Sequence, residues 1–139
     1  MSVSAQAAEA QVLGGYAVDA WIDLTLEPMT KIWQGDGGHS NFFFSEEDAR
    51  DARGSYEGTT PYDFAETLWR MAQVSPSKKY GFRREIVEYV VDFPIAAAVG
   101  ICRANAGLGS GSVFQYFIPD WEAALFATGR RHKFRRVTY

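Results

Sequence analysis

The run 85-EIVEYVVDF-93 constrains the fold more than any other stretch of the chain. Val87, Tyr89, Val91 and Phe93 recur at every second position, and Glu88 and Asp92 occupy alternate ones. Successive side chains of a strand point to opposite faces, so this period predicts a strand with one apolar and one wetter face. A strand of that kind needs hydrogen-bonded neighbours, and the sequence offers several. The segments 30-TKIWQG-35 and 41-NFFF-44 read as strands around the turn 35-GDGGHS-40, and 112-SVFQYFI-118 reads as another. Residues 132-HKFRRVTY-139 are a candidate last strand. The run 95-IAAAVGICRA-104 reads as a strand, although its alanines also suit a helix. In 17-AVDAWIDLTLEP-28, Val18, Trp21, Ile22 and Leu26 approximate helical spacing while Ile22, Leu24 and Leu26 alternate, so both readings stand.

Helices are fewer. The alanine-rich 4-SAQAAEAQVL-13 predicts a helix closed by Gly14-Gly15, or else the frayed remnant of a connection to something larger. Ser45 is placed to cap 46-EEDARDAR-53, with acids in the first turn to complement the helix dipole. Thr60 and Pro61 open a further helix in which Phe64, Leu68 and Met71 form one apolar stripe. Pro119-Asp120 opens a short one. The class that follows is α+β: one domain with a mainly antiparallel, twisted or split sheet and peripheral helices.

Length and composition exclude several alternatives. A chain of 139 residues is one domain with a real core. The longest apolar run, 93-FPIAAAVGIC-102, is too short to span a bilayer, and 1-MSVSAQAAEAQVL-13 lacks the basic and apolar regions of a signal peptide. Cys102 is alone, which excludes an internal disulfide and cysteine-based zinc sites. His39 and His132 are far apart, with no carboxylates at metal-ligand spacing, so no metal site is expected. The net charge of −3 hides an asymmetry: all 17 acids precede position 123, while 130-RRHKFRR-136 holds five of the 14 Lys and Arg. Such a strip either attracts a polyanion or covers the acidic surface of its own domain.

The polar residue hardest to explain is Gln115, in the middle of the apolar run 112–118 and just past the glycines of 107-GLGSG-111. A buried amide there must be hydrogen-bonded or cost about 1–3 kcal/mol, so it either braces the sheet or faces a ligand. The glycines precede a strand and do not link a strand to a helix, which rules out a dinucleotide fingerprint. The chain also has no Gly-x-x-x-x-Gly-Lys loop and no Gly-x-Ser-x-Gly elbow.

Two segments, 26-LEPMTKIWQGDGGHSNFFFS-45 and 109-GSGSVFQYFIP-119, together with 125-LFATGRRHKF-134, resemble stretches of the ADP-ribosyltransferase-like fold. More narrowly, they are similar to the NAD-glycohydrolase toxin domains named after the tuberculosis necrotizing toxin. The resemblance implies a catalytic-type toxin domain over residues 16–139, with 1–15 as an N-terminal helix or linker remnant. It implies NAD as substrate, no permanently bound cofactor, and cleavage of the nicotinamide N-glycosidic bond by hydrolysis or ADP-ribosyl transfer. Trp33 and Gln34 stand before Gly35 where that family carries an Arg, and Tyr116 and Phe117 follow Gln115 where transferases carry a Glu. The second difference favours hydrolysis. Gln115 is the catalytic candidate, holding ribose hydroxyls or the attacking water. Gly35 and the glycine turns would bring N–H groups to the pyrophosphate, Arg50, Arg53 or Arg83 would pair with it, and Trp33, Phe42 or Phe43 would stack on a ring. The implied setting is a delivered or secreted effector acting in a target cytoplasm. Its implied partners are a cognate immunity protein and a macromolecular ADP-ribose acceptor, with neither membrane nor DNA. Each residue also has a purely structural reading: glycines in tight turns, aromatics in the core, Ser45 as a cap. Two rival functions remain, a metal-independent RNase using His39 and His132, and a non-enzymatic, immunity-type interaction domain.

Overall fold

The computed structural model describes residues 1–35, 40–52, 85–101 and 114–133. In chain order these form α1 (Val3–Leu13), β1 (Trp21–Leu26), β2 (Lys31–Gly35), β3 (Phe42–Ser45) and α2 (Glu46–Ala52). There follow β4 (Glu85–Val91), β5 (Ile95–Ile101), β6 (Phe114–Phe117), α3 (Trp121–Ala124) and β7 (Leu125–Lys133). The strands make one continuous seven-stranded sheet in the order β1-β5-β6-β3-β2-β4-β7, with every pair antiparallel. The α+β class and the antiparallel sheet are as expected; the sheet is continuous, not split. The expected turn at 36–39, the helix from Thr60, the glycine loop, Cys102, His39, Arg53 and Arg83 lie outside the described residues.

Alternation sorts the side chains onto two faces. On the first, Leu26, Ile32, Phe43, Val91, Ala97 and Ile118 join Ala124 and Leu125 in the main core. Phe43, Tyr89 and Trp121 meet edge-on there, with centroids 5.5–5.6 Å apart, an arrangement their ring quadrupoles favour. On the second face, α1 lies against β5 and β6, with Ala7 in contact with Ala98 and Phe117. The small residues of α1 and β5 are what allow a helix to approach the sheet this closely. That contact explains why the alanines of 95–101 form a strand despite their helical propensity: burial between β1 and β6 outweighs it.

The ends of α1 are closed by identifiable groups. Ser2 Oγ accepts from Ala5 N–H at 3.2 Å. The first turn has no acid of its own, and Asp23 of β1 supplies one, accepting from Ser4 N–H at 2.7 Å and Ser4 Oγ at 3.0 Å. At the other end Tyr16 N–H reaches Gln11 O at 2.9 Å and Gly15 N–H reaches Val12 O at 3.0 Å. Gly15 takes φ +82° in this Schellman closure, a conformation open to glycine. The helix is thus docked on the sheet. Its lock is Gln11, whose Nε2 donates to Asp19 Oδ2 at 2.7 Å while Oε1 accepts from Asp19 N–H at 2.8 Å and Trp21 Nε1–H at 2.9 Å.

The segment 17–28 resolves as the strand β1. The strand predicted over 85–93 ends at Val91, and Phe93 lies beyond it, exposed. Its second face needs a larger correction: Glu88, expected on a wet side, is only 1% exposed. Period two shows that a strand has two faces but not which of them other elements cover.

Replacing Gln11 with Leu should strand the Asp19 and Trp21 groups and lower stability by roughly 2–3 kcal/mol. Val12→Ala, on the exposed side of α1, should change it by less than about 0.5 kcal/mol. Denaturant midpoints of the two variants provide the comparison.

Candidate functional site

One cross-strand row on the second face carries most of the polar chemistry. Gly100 lies opposite Gln115, Gln115 opposite Phe44, Phe44 opposite Trp33, and Trp33 opposite Glu88. Directly opposed residues of an antiparallel pair point to the same side, so these five share a face. Polar groups cluster at both ends of the row.

At the first end Gln115 is half-buried, one residue into β6. Opposite it, the ring of Trp21 leaves no room for a side chain at Gly100, where an added Cβ would come within 3.0 Å. Ser45 caps α2 as expected, its Oγ accepting from Asp48 N–H at 3.1 Å and donating to Asp48 Oδ2 at 2.9 Å. The same Oδ2 accepts from the backbone N–H of Phe114 at 3.0 Å. Asp48 is therefore fixed beside the residue that precedes Gln115, at the meeting of β3, α2 and β6. Its negative charge adds to burial in raising the Tyr116 phenol above the ordinary value of 10.0.

At the other end Glu88 is buried but doubly bonded. Oε1 accepts from Thr128 Oγ1 at 2.8 Å, and Oε2 accepts from Arg130 Nη1 at 2.8 Å. Both donors reach it because β7 bulges: the register jumps so that Thr128, Gly129 and Arg130 all face the single residue Glu88. Gly129 takes φ +89° at the bulge, a conformation that favours glycine. The Arg130 guanidinium lies 5.7 Å from the centre of the Trp33 ring, and Trp33 Nε1–H donates to Glu46 Oε2 at 2.6 Å.

The candidates read from the sequence are scattered around this row. Gln115 and Trp33 lie within it, but Trp33 is 1% exposed and its ring is engaged by Arg130. Phe42 and Gly35 are on the same face two positions further along their strands; Phe42 packs against Trp21 and Phe117 at 5.9 and 5.0 Å. Phe43 points the other way, into the main core. Arg50 is exposed near the end of α2, and His132 is half-buried opposite Ile86. Asp48, Glu88, Thr128 and Arg130 were not singled out by sequence. Asp48 had a local signal, its capping distance from Ser45, whereas its bond across 66 residues to Phe114 had none.

Comparison with known proteins places this geometry. The fold is similar to that of Rhs1-CT, solved in complex with its cognate immunity protein RhsI1: TM-score 0.83 and 23% identity over 96% of this chain and 97% of that one. It is also similar to Tse6, solved in complex with Tsi6: TM-score 0.50 and 11% identity over 91% of this chain and 95% of that one. No curated protein sequence matches. The chain belongs to the Rhs1 C-terminal toxin domain family, whose model matches residues 1–120, and it is therefore a bacterial toxin domain of the Rhs type. This corrects the resemblance to the necrotizing-toxin family: the matching family is the Rhs1 one, and an ADP-ribosyltransferase-like assignment is not supported.

Two outcomes test the electrostatics. Arg130→Ala leaves the Glu88 carboxylate buried with Thr128 alone and should cost roughly 1–3 kcal/mol, a buried-pair loss discounted because Arg130 is half-exposed. Glu88→Gln, which leaves a solvated guanidinium, should cost less; unfolding by denaturant gives both values. For Tyr116 the folded state holds the phenolic proton more tightly than the unfolded chain does. Its contribution is therefore fully present below pH 10.0 and lost as pH rises through the raised folded value. Tyr116→Phe should flatten the fall in stability measured about one pH unit on either side of that value.

Proposed function

We propose that this toxin domain consumes NAD by cleaving the nicotinamide N-glycosidic bond, with water as acceptor. The observation that carries the reading is the Asp48 carboxylate held by the Phe114 N–H at the start of β6, next in sequence to the half-buried Gln115. The C1′–N bond breaks with its electron pair passing to the nicotinamide nitrogen, so the base leaves neutral and needs no acid. Positive charge develops on the ribose, and groups that interact more strongly with that cation than with the ground state supply the rate. A carboxylate held by Ser45 and the Phe114 N–H is preorganised to stabilise it. The Gln115 amide accepts from a ribose hydroxyl or orients the water, which bonds to C1′ and releases its proton to solvent. The products are nicotinamide and ADP-ribose. Among the described residues none favours a protein acceptor over water. Membership of the Rhs1 toxin family supports a delivered effector, and the complex solved for Rhs1-CT supports a cognate immunity protein as partner.

The test is incubation of the purified chain with NAD, assaying free nicotinamide and ADP-ribose. Gln115→Ala should lower release by about 100-fold or more while melting at the wild-type temperature. Full activity in that variant would remove Gln115 from the site, and no release from the wild type would sink the reading.

A further inference from the structure

The geometry points to Arg130 as an anion-binding residue that grips a nucleoside diphosphate through the Nε–Nη2 edge of its guanidinium. Three observations lead there. Glu88 takes Nη1 alone. Among the described residues no side chain occupies Nε or Nη2, and the side chain is 53% exposed. Those two donors lie parallel on one edge, the fork that accepts two oxygens of a phosphate at once. Second, the arm is already ordered: Glu88 anchors it, Trp33 lies beneath the guanidinium and Thr128 Oγ1 accepts from its backbone N–H at 3.2 Å. An ordered arginine loses less freedom when it binds a ligand. Third, β7 is a terminal strand of the sheet, which a small ligand can approach from the side.

The identity of the nucleotide rests on the NAD reading; the anion subsite does not. Inorganic pyrophosphate and ADP are titrated calorimetrically into the wild-type chain, Arg130→Lys and the double variant Arg130→Gln/Glu88→Gln. The lysine keeps a charge beside Glu88 without the fork, and the double variant leaves no buried charge unpaired, so both should remain folded. Affinity for both probes should fall about 10–100-fold in each variant, with KM for NAD rising by a similar factor and kcat unchanged. Unchanged affinity in folded variants overturns the proposal. So does a loss confined to binding of an immunity protein, which would make Arg130 a contact for acidic protein side chains. If the wild type releases no nicotinamide yet the variants lose pyrophosphate, the anion subsite stands and the NAD reading fails.

Discussion

Every residue of β2 after Lys31 is buried, so this interior strand of the sheet is covered on both faces. Water cannot satisfy polar groups in such a place, and each must find its partner within the protein. Gln34 donates through Nε2 to Ser40 O at 2.6 Å and more weakly to Phe42 O at 3.3 Å, tying the entry of β3 to the end of β2. Trp33 turns its indole N–H to Glu46 of α2. On the adjoining strand, Glu88 brings a carboxylate into the same covered layer and takes two donors from β7. Among the described residues no buried side-chain nitrogen or oxygen lacks a partner. The polar geometry of the second face follows from this requirement.

The same requirement separates what the sequence could disclose from what it could not. The strand at 85–93 was legible because pleating imposes period two, and those at 30–35, 41–44 and 112–118 because they are short apolar runs bounded by turn residues. The Ser45 cap and the Gly14-Gly15 stop were legible because they act within a few residues of themselves. Glu88 was misplaced because alternation is blind to what covers a face; the covering donors lie at least 40 residues away, in a bulge. Gln115 was recognised as anomalous by its polarity alone. Its neighbour Asp48 was not, since its place among the acids of the first turn of α2 already explained it. The basic run also divides, with Arg130 and Arg131 facing Glu88 and Glu85 of the adjacent strand, so part of it covers the domain's own acids.

The two polar clusters stand three strand spacings apart, about 14 Å, yet one short helix reaches both. The first turn of α2 carries Glu46, Glu47 and Asp48, and its acids suit the positive end of the helix dipole wherever they point. Two of them are committed further. Glu46 accepts from Trp33, on whose ring Arg130 rests, and Asp48 accepts from Phe114, beside Gln115. α2 therefore sets the position of the carboxylate at one cluster and of the aromatic support at the other. Because Ser45 ends β3 and caps α2 at once, the helix cannot rotate without disturbing the strand between Gln115 and Trp33. A change at the β3–α2 junction should thus be felt at both ends of the row, whereas one at the Gly129 bulge should be felt only at the Glu88 end. That asymmetry follows from connectivity alone, whichever ligand the domain binds.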